Sequence, residues 1–142
     1  VKGRATVKAE LKALYEAARK TRENAHSPYS GHKVGAAIRT SDGRVFTGCN
    51  VENSSYGATL CAERVAISKA VSETAGRRLE LAEVVVVTDA PSPWPPCGMC
   101  RQVMAEFAGS ELQVHSVNLQ GQIRTESFTE LFPRAFTPEH LD

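Results

Sequence analysis

Apolar side chains first recur at intervals of three and four, at Val7, Leu11, Leu14 and Ala18, with Lys, Glu and Arg between them. That spacing predicts an amphipathic packing helix over residues 6–24. Ser27-Pro28-Tyr29-Ser30-Gly31 supplies the turn residues that end it. The period then shortens. Residues 33–40 and 44–49 read as two strands joined at Ser41-Asp42-Gly43, a hairpin signal. Gly35, Ala36 and Ala37 leave the first strand with little side-chain bulk, so a helix or another backbone can approach it closely. Residues 50–59 are polar and turn-like. A helix over 60–75 follows, with Val65, Ala66, Ala70 and Val71 apolar and Gly76 as its stop. The unbroken run Val84-Val85-Val86-Val87 predicts a strand over 83–89 that is covered on both faces, as in a parallel sheet. Four of the chain's seven prolines fall within residues 90–96 and make a stiff loop there. A helix over 97–107, a strand over 112–118, a turn at Gln120-Gly121, a last strand over 122–127 and a helical turn over 128–132 complete the chain.

This order contains two strand–helix–strand crossovers, which call for a mixed sheet with helices on both faces in one domain spanning residues 1–142. In such α/β folds ligands gather beyond the carboxyl ends of the strands. Composition narrows the function. Seventeen basic and sixteen acidic residues leave a net charge of +1, which argues against a nucleic-acid binder. No apolar run approaches the ~20 residues that cross a bilayer. Val1-Lys2-Gly3-Arg4 lacks the apolar core of a signal peptide and a starting Met, so a trimmed chain and a cytoplasmic location are expected. In that setting four cysteines, two of them in C-x-x-C spacing, point to metal ligation rather than disulfides.

The chemistry concentrates in two stretches, Cys61-Ala62-Glu63-Arg64 and Pro96-Cys97-Gly98-Met99-Cys100-Arg101-Gln102. Cys97 and Cys100, three residues apart, share one face of a helix, and Pro96 suits its first turn. Cys61 opens the other motif helix. Helix N-termini carry partial positive charge and stabilise thiolates. Three thiolates fill three of zinc's four tetrahedral positions and leave one for water, the mark of a catalytic rather than a structural site. Cys49 reads as a small buried residue, and His26, His32, His115 and His140 as surface or packing residues. Glu63 is placed to act as general acid–base for a water on the metal. Arg64, and less directly Arg101, would offset the negative charge that three thiolates leave on zinc. Asn50 and Glu52, two apart in extended chain, point the same way and together suit a sugar hydroxyl, which both donates and accepts.

Val34-Gly35-Ala36-Ala37, Gly48-Cys49-Asn50-Val51-Glu52-Asn53, the two cysteine motifs and Pro133-Arg134-Ala135-Phe136 together resemble the small homotetrameric cytidine deaminases of pyrimidine salvage. The resemblance runs over nearly the whole chain. It implies a three-layer α/β/α sandwich around a five-stranded mixed sheet. It implies that Cys61, Cys97 and Cys100 hold one zinc ion per subunit and that Glu63 shuttles the proton. Water activated on the metal would attack C4 of cytosine, Glu63 would protonate N3, and the products would be uridine, or 2′-deoxyuridine, and ammonia. By the same likeness Asn50 and Glu52 hold the ribose, the backbone around Ala62 contacts the base, and Arg64 contacts the thiolates. Tyr56 and Phe136 resemble aromatic residues that reach a neighbouring subunit's site.

One position departs from the pattern. Where the family usually carries a Phe that packs on the pyrimidine, this chain has His32. An imidazole is smaller and titrates near neutrality, so the expected consequences are weaker base affinity, pH-dependent affinity or acceptance of a modified pyrimidine, with deamination retained. The neighbouring alternative is a deaminase of a related cytosine nucleoside, such as a cytosine-containing antibiotic. A zinc-stabilised binding module without turnover is a third reading, opposed by the presence of three ligands rather than four.

Overall fold

The computed structural model describes residues 9–141. In chain order they form α1 (Ala9–Arg22), β1 (Gly35–Thr40), β2 (Val45–Cys49), α2 (Ala62–Glu73), β3 (Leu81–Thr88), α3 (Gly98–Phe107), β4 (Ala108–Asn118), β5 (Ile123–Ser127) and α4 (Phe128–Leu131). The expected first turn of α1, residues 6–8 with Val7, lies outside the described residues. The five strands make one sheet in the order β2-β1-β3-β4-β5. The β3–β4 pair is parallel and the other three pairs are antiparallel, so the sheet is mixed as the crossovers require.

The valine run of β3 shows how the layers are held. Val84 and Val86 pack with Ala66, Ile67 and Ala70 of α2, Cys100 and Met104 of α3, and Phe128 and Leu131 of α4. Val85 and Val87 point the other way, to Leu11, Leu14, Tyr15 and Ala18 of α1. None of the four valines is more than 3% exposed, and burying each stabilises the fold by about 1.5–3 kcal/mol. The small residues of β1 act as expected. A Cβ added at Gly35 would lie 2.0 Å from the Ala18 carbonyl oxygen, so α1 rests directly on this strand. Gly48 of β2 does the same on the opposite face, where a Cβ would lie 2.5 Å from the Ala66 amide nitrogen of α2. Each glycine thus brings a helix to backbone contact with the sheet beside the cysteine motifs.

Several elements depart from expectation. β4 begins at Ala108 rather than 112, because ladder hydrogen bonds need no apolar alternation to extend a strand. Pro96 lies just before the cap of α3 instead of in its first turn, and Cys97 is the capping residue. A 3-10 turn at Tyr56–Ala58 interrupts the stretch that reads as polar and turn-like, and a second, Pro138–Leu141, follows the last predicted element. Among the described residues no helix is long and apolar enough to cross a membrane.

Candidate active site

Cys61 caps α2 and Cys97 caps α3, both from extended backbone. Cys100 follows in the first turn of α3 and is fully buried. β2 and β3, which run in the same direction on either side of β1, deliver these two helix starts to one end of the sheet. There the three sulfurs lie within 4.8 Å of one another, with Cys61 and Cys97 Sγ 3.8 Å apart and unbonded. A zinc tetrahedron with Zn–S bonds of about 2.3 Å has edges of about 3.8 Å, so the donor set fits that ion. The sulfurs also compete for protons. The Cys100 thiol hydrogen-bonds towards Cys61, which brings Cys61 down to about 5 and pushes Cys100 up. Arg64 adds to this, with Nη2 3.5 Å from Cys61 Sγ and 3.2 Å from the Thr59 carbonyl oxygen.

Glu63, in the first turn of α2, is only 4% exposed. Burial, reinforced by the neighbouring Cys61 charge, raises its carboxyl to about 7. A carboxyl near neutrality both takes and gives a proton readily. Arg101 does not join this cluster. Its Nε donates to the Pro96 carbonyl and its Nη1 to the Leu131 carbonyl, each at 2.8 Å, so it ties the start of α3 to α4.

A cavity of about 330 Å³ opens onto Cys61, Cys97 and Glu63, within the range of small-molecule sites. His32, Asn50, Glu52 and Ala62 line it with Cys61 and Cys97. A larger depression of about 440 Å³ lies at the amino end of β4, away from the thiol cluster. Asn50 and Glu52 carry more structure than their spacing suggests. Asn50 Oδ1 accepts from the Val34 amide at 2.9 Å, and its Nδ2 donates to the His32 carbonyl at 2.8 Å. Glu52 accepts from the Ser30 hydroxyl and from the amides of Tyr29 and Ser30. These bonds, led by the Ser30 hydroxyl, hold its carboxyl below the ordinary range.

Tyr56 and Phe136 stand outside this cavity. Tyr56 is 73% exposed and meets Tyr29 edge to face. Phe136 stacks on His140. Within one chain neither reaches the sulfurs. His26, His115 and His140 also lie away from the cluster, and Cys49 is half-buried at the end of β2. Sequence reasoning passes over Ser30, Trp94 and Asp89. The one available signal was the chain's single Trp within the proline-rich loop that leads into Cys97.

A family model described as the cytidine and deoxycytidylate deaminase zinc-binding region matches residues 8–116. A cytidine deaminase of Halalkalibacterium halodurans is 49% identical over 129 residues, which is 91% of this chain and 96% of that protein. The crystal structure of cytidine deaminase from Burkholderia pseudomallei superposes with a TM-score of 0.79 at 49% identity, covering 88% of this chain and 98% of that one. A blasticidin-S deaminase of Bacillus cereus is more distant, 31% identical over 75% of this chain and 78% of its own length. With the thiol trio, the adjacent buried carboxyl and the mixed sheet in place, the chain belongs to the zinc-dependent cytidine and deoxycytidylate deaminase family.

Proposed function

We propose that this protein hydrolyses cytidine and 2′-deoxycytidine to uridine and 2′-deoxyuridine with release of ammonia, a reaction of pyrimidine salvage. The observation that carries this reading is the trio of sulfurs within 4.8 Å of one another, with the buried Glu63 two residues after Cys61, in a cavity of nucleoside scale. Zinc on Cys61, Cys97 and Cys100 supplies the Lewis acid that activates water. Glu63 takes the proton of the attacking water and passes it to N3 of the base. It then carries the proton of the hydroxyl added at C4 to the departing amine, as the C4–N bond breaks and the C4 carbonyl forms. Arg64 holds the charge of Cys61. The backbone at Ala62 lies along the cavity wall where the base would rest. Asn50 keeps one amide hydrogen, and Glu52 Oε2 a second lone pair beside its bond from Ser30, for the ribose hydroxyls. The active form in this reading is a cytoplasmic homotetramer in which Tyr56 and Phe136 complete a neighbour's site.

A related cytosine nucleoside is the second reading, favoured by the likeness to the blasticidin-S deaminase. Relatives named cytidine deaminase stand nearer, at 43–49% identity. The test is the ultraviolet spectrum of cytidine mixed with the protein. Conversion to the uridine spectrum is expected, and it should stop on chelation. Glu63→Gln should keep its zinc and lose turnover by about 10²–10⁴-fold. Full activity in that variant would sink the mechanism.

A further inference from the structure

The rings in the cavity are His32 and Trp94, and the structure fixes His32 before any ligand arrives. They meet at an interplanar angle of 70° with centroids 5.4 Å apart, which makes a corner rather than a stack. His32 is tethered at three points. Its amide donates to Ser30 Oγ at 3.0 Å, and its carbonyl accepts from Asn50 Nδ2 at 2.8 Å. Its Nδ1 lies 3.3 Å from Asp89 Oδ1. Asp89 is itself held, with Oδ2 3.6 Å from Nη2 of the buried Arg22. Arg22 also donates from Nε to the Lys33 carbonyl at 2.8 Å, so one guanidinium braces both the loop that carries His32 and the carboxylate that holds its ring.

A carboxylate only accepts hydrogen bonds, so Nδ1 must carry the proton that it shares with Asp89. In the neutral ring that leaves Nε2 as a hydrogen-bond acceptor. A half-exposed imidazole on a surface loop would ordinarily sample several rotamers, and fixing it costs entropy. The Arg22–Asp89 brace meets that cost in the free protein, which is what a preorganised binding wall requires.

We propose that Asp89 is a positioning residue and that His32 and Trp94 form a specificity-determining corner, which rests on the deaminase reading and deepens it. The corner offers a flat pyrimidine one ring face and one ring edge. His32 Nε2 adds an acceptor for a hydroxyl or amine hydrogen of the nucleoside. A purely hydrocarbon ring at position 32 would give only the flat surface.

Two measurements decide this. The first is a double-mutant cycle of Asp89→Ala and His32→Phe, read on cytidine turnover at full zinc content. Asp89→Ala should raise KM about five- to tenfold, the size of one lost hydrogen bond, while kcat moves less than about twofold. In the His32→Phe background the same substitution should move KM less than about twofold, because the ring it positions no longer carries Nδ1 or Nε2. An equal rise in both backgrounds would make Asp89 merely structural through Arg22, and no rise in the wild-type background would remove its role. The second is Trp94 emission, which reports this wall alone because the chain has one Trp. Uridine, which is not turned over, should change that emission saturably at the concentrations at which it inhibits competitively. An unchanged emission at an inhibiting concentration would take Trp94 out of the corner. The deaminase reading fails separately, by absence of uridine formation from cytidine, and the emission titration needs no turnover to decide the wall.

Discussion

Arg64 shows what one side chain can do beside a thiolate-rich metal site. Its guanidinium interacts with both Cys61 and Cys100 and is anchored at the Thr59 carbonyl, so it is aimed at the sulfurs before the metal arrives. Groups that orient and charge-balance metal ligands commonly contribute 10–100-fold to affinity. Arg64→Ala should therefore weaken zinc retention by about 10–100-fold in competition with a chelator, whereas Arg101→Ala should leave it nearly unchanged. Equal losses in the two variants would overturn this assignment. At this scale the meeting of the three thiols and the place of Glu63 beside them were legible, because cap positions and i, i+3 spacing follow from local sequence. Arg101 was misplaced because its partners are carbonyls of Pro96 and Leu131, and the latter lies thirty residues away. Asn50 was legible as a cavity residue but not as the clamp on residues 32–34, since that bond depends on how β2 ends against the neighbouring loop. The His32–Asp89 pair spans 57 positions and leaves no local trace in the sequence.

Among the elements, β2 and α2 are the most sharply constrained, because Gly48 sits where the helix backbone touches the strand. A methyl at Gly48 would meet the Ala66 amide, the Ala62 carbonyl at 2.7 Å and Val65 Cβ at 3.0 Å. None of these is the far end of a flexible side chain, so α2 must shift, and Cys61 and Glu63 shift with it. Gly48→Ala should cost about 1–3 kcal/mol by denaturant midpoint and lower zinc content in the same preparation. A stable variant with full zinc would show that α2 has room. The β1–β2 hairpin carries a pH signature. Hydrogen bonds from Thr40 Oγ1 and then from Arg44 Nε lower the Asp42 carboxyl from 3.8 to about 2. A carboxyl lowered on folding adds stability above its unfolded pKa, and that contribution disappears as pH falls through the folded value. Asp42 should thus titrate near 2 by NMR, and Asp42→Asn should flatten the acid limb of the melting curve between about pH 4 and 2. A midpoint near the ordinary 3.8 would mean that the turn does not hold the carboxylate. The element order was readable from periodicity together with the turn, glycine and proline signals between the periodic stretches, and the valine run announced a strand covered on both faces. The start of β4 and the 3-10 turn at Tyr56–Ala58 were not, because both depend on backbone pairing that no side-chain pattern records.

For the molecule as a whole the question is what covers its exposed rings. Tyr29 is 51% exposed, Tyr56 73% and Phe136 55%, yet each belongs to a segment that also builds the site. Tyr29 sits in the turn gripped by Glu52, and Tyr56 packs against Tyr29 at 5.6 Å. The Phe136 carbonyl is held by Gln102 of α3, two residues after Cys100. Aromatic groups held in place but left open to water are the kind of surface that a partner buries. In the homotetramer of the proposed reading each chain would supply such rings to a neighbour, and neither Tyr56 nor Phe136 would need to line the cavity of its own chain. Light scattering should then give a mass of about four chains. Tyr56→Ala and Phe136→Ala should each shift the protein towards smaller species and lower kcat/KM together. Assembly and activity should also fall in parallel on dilution of these variants, with zinc content held. A fully active monomer, or a variant that dissociates without loss of kcat/KM, would show that each chain builds its whole site alone.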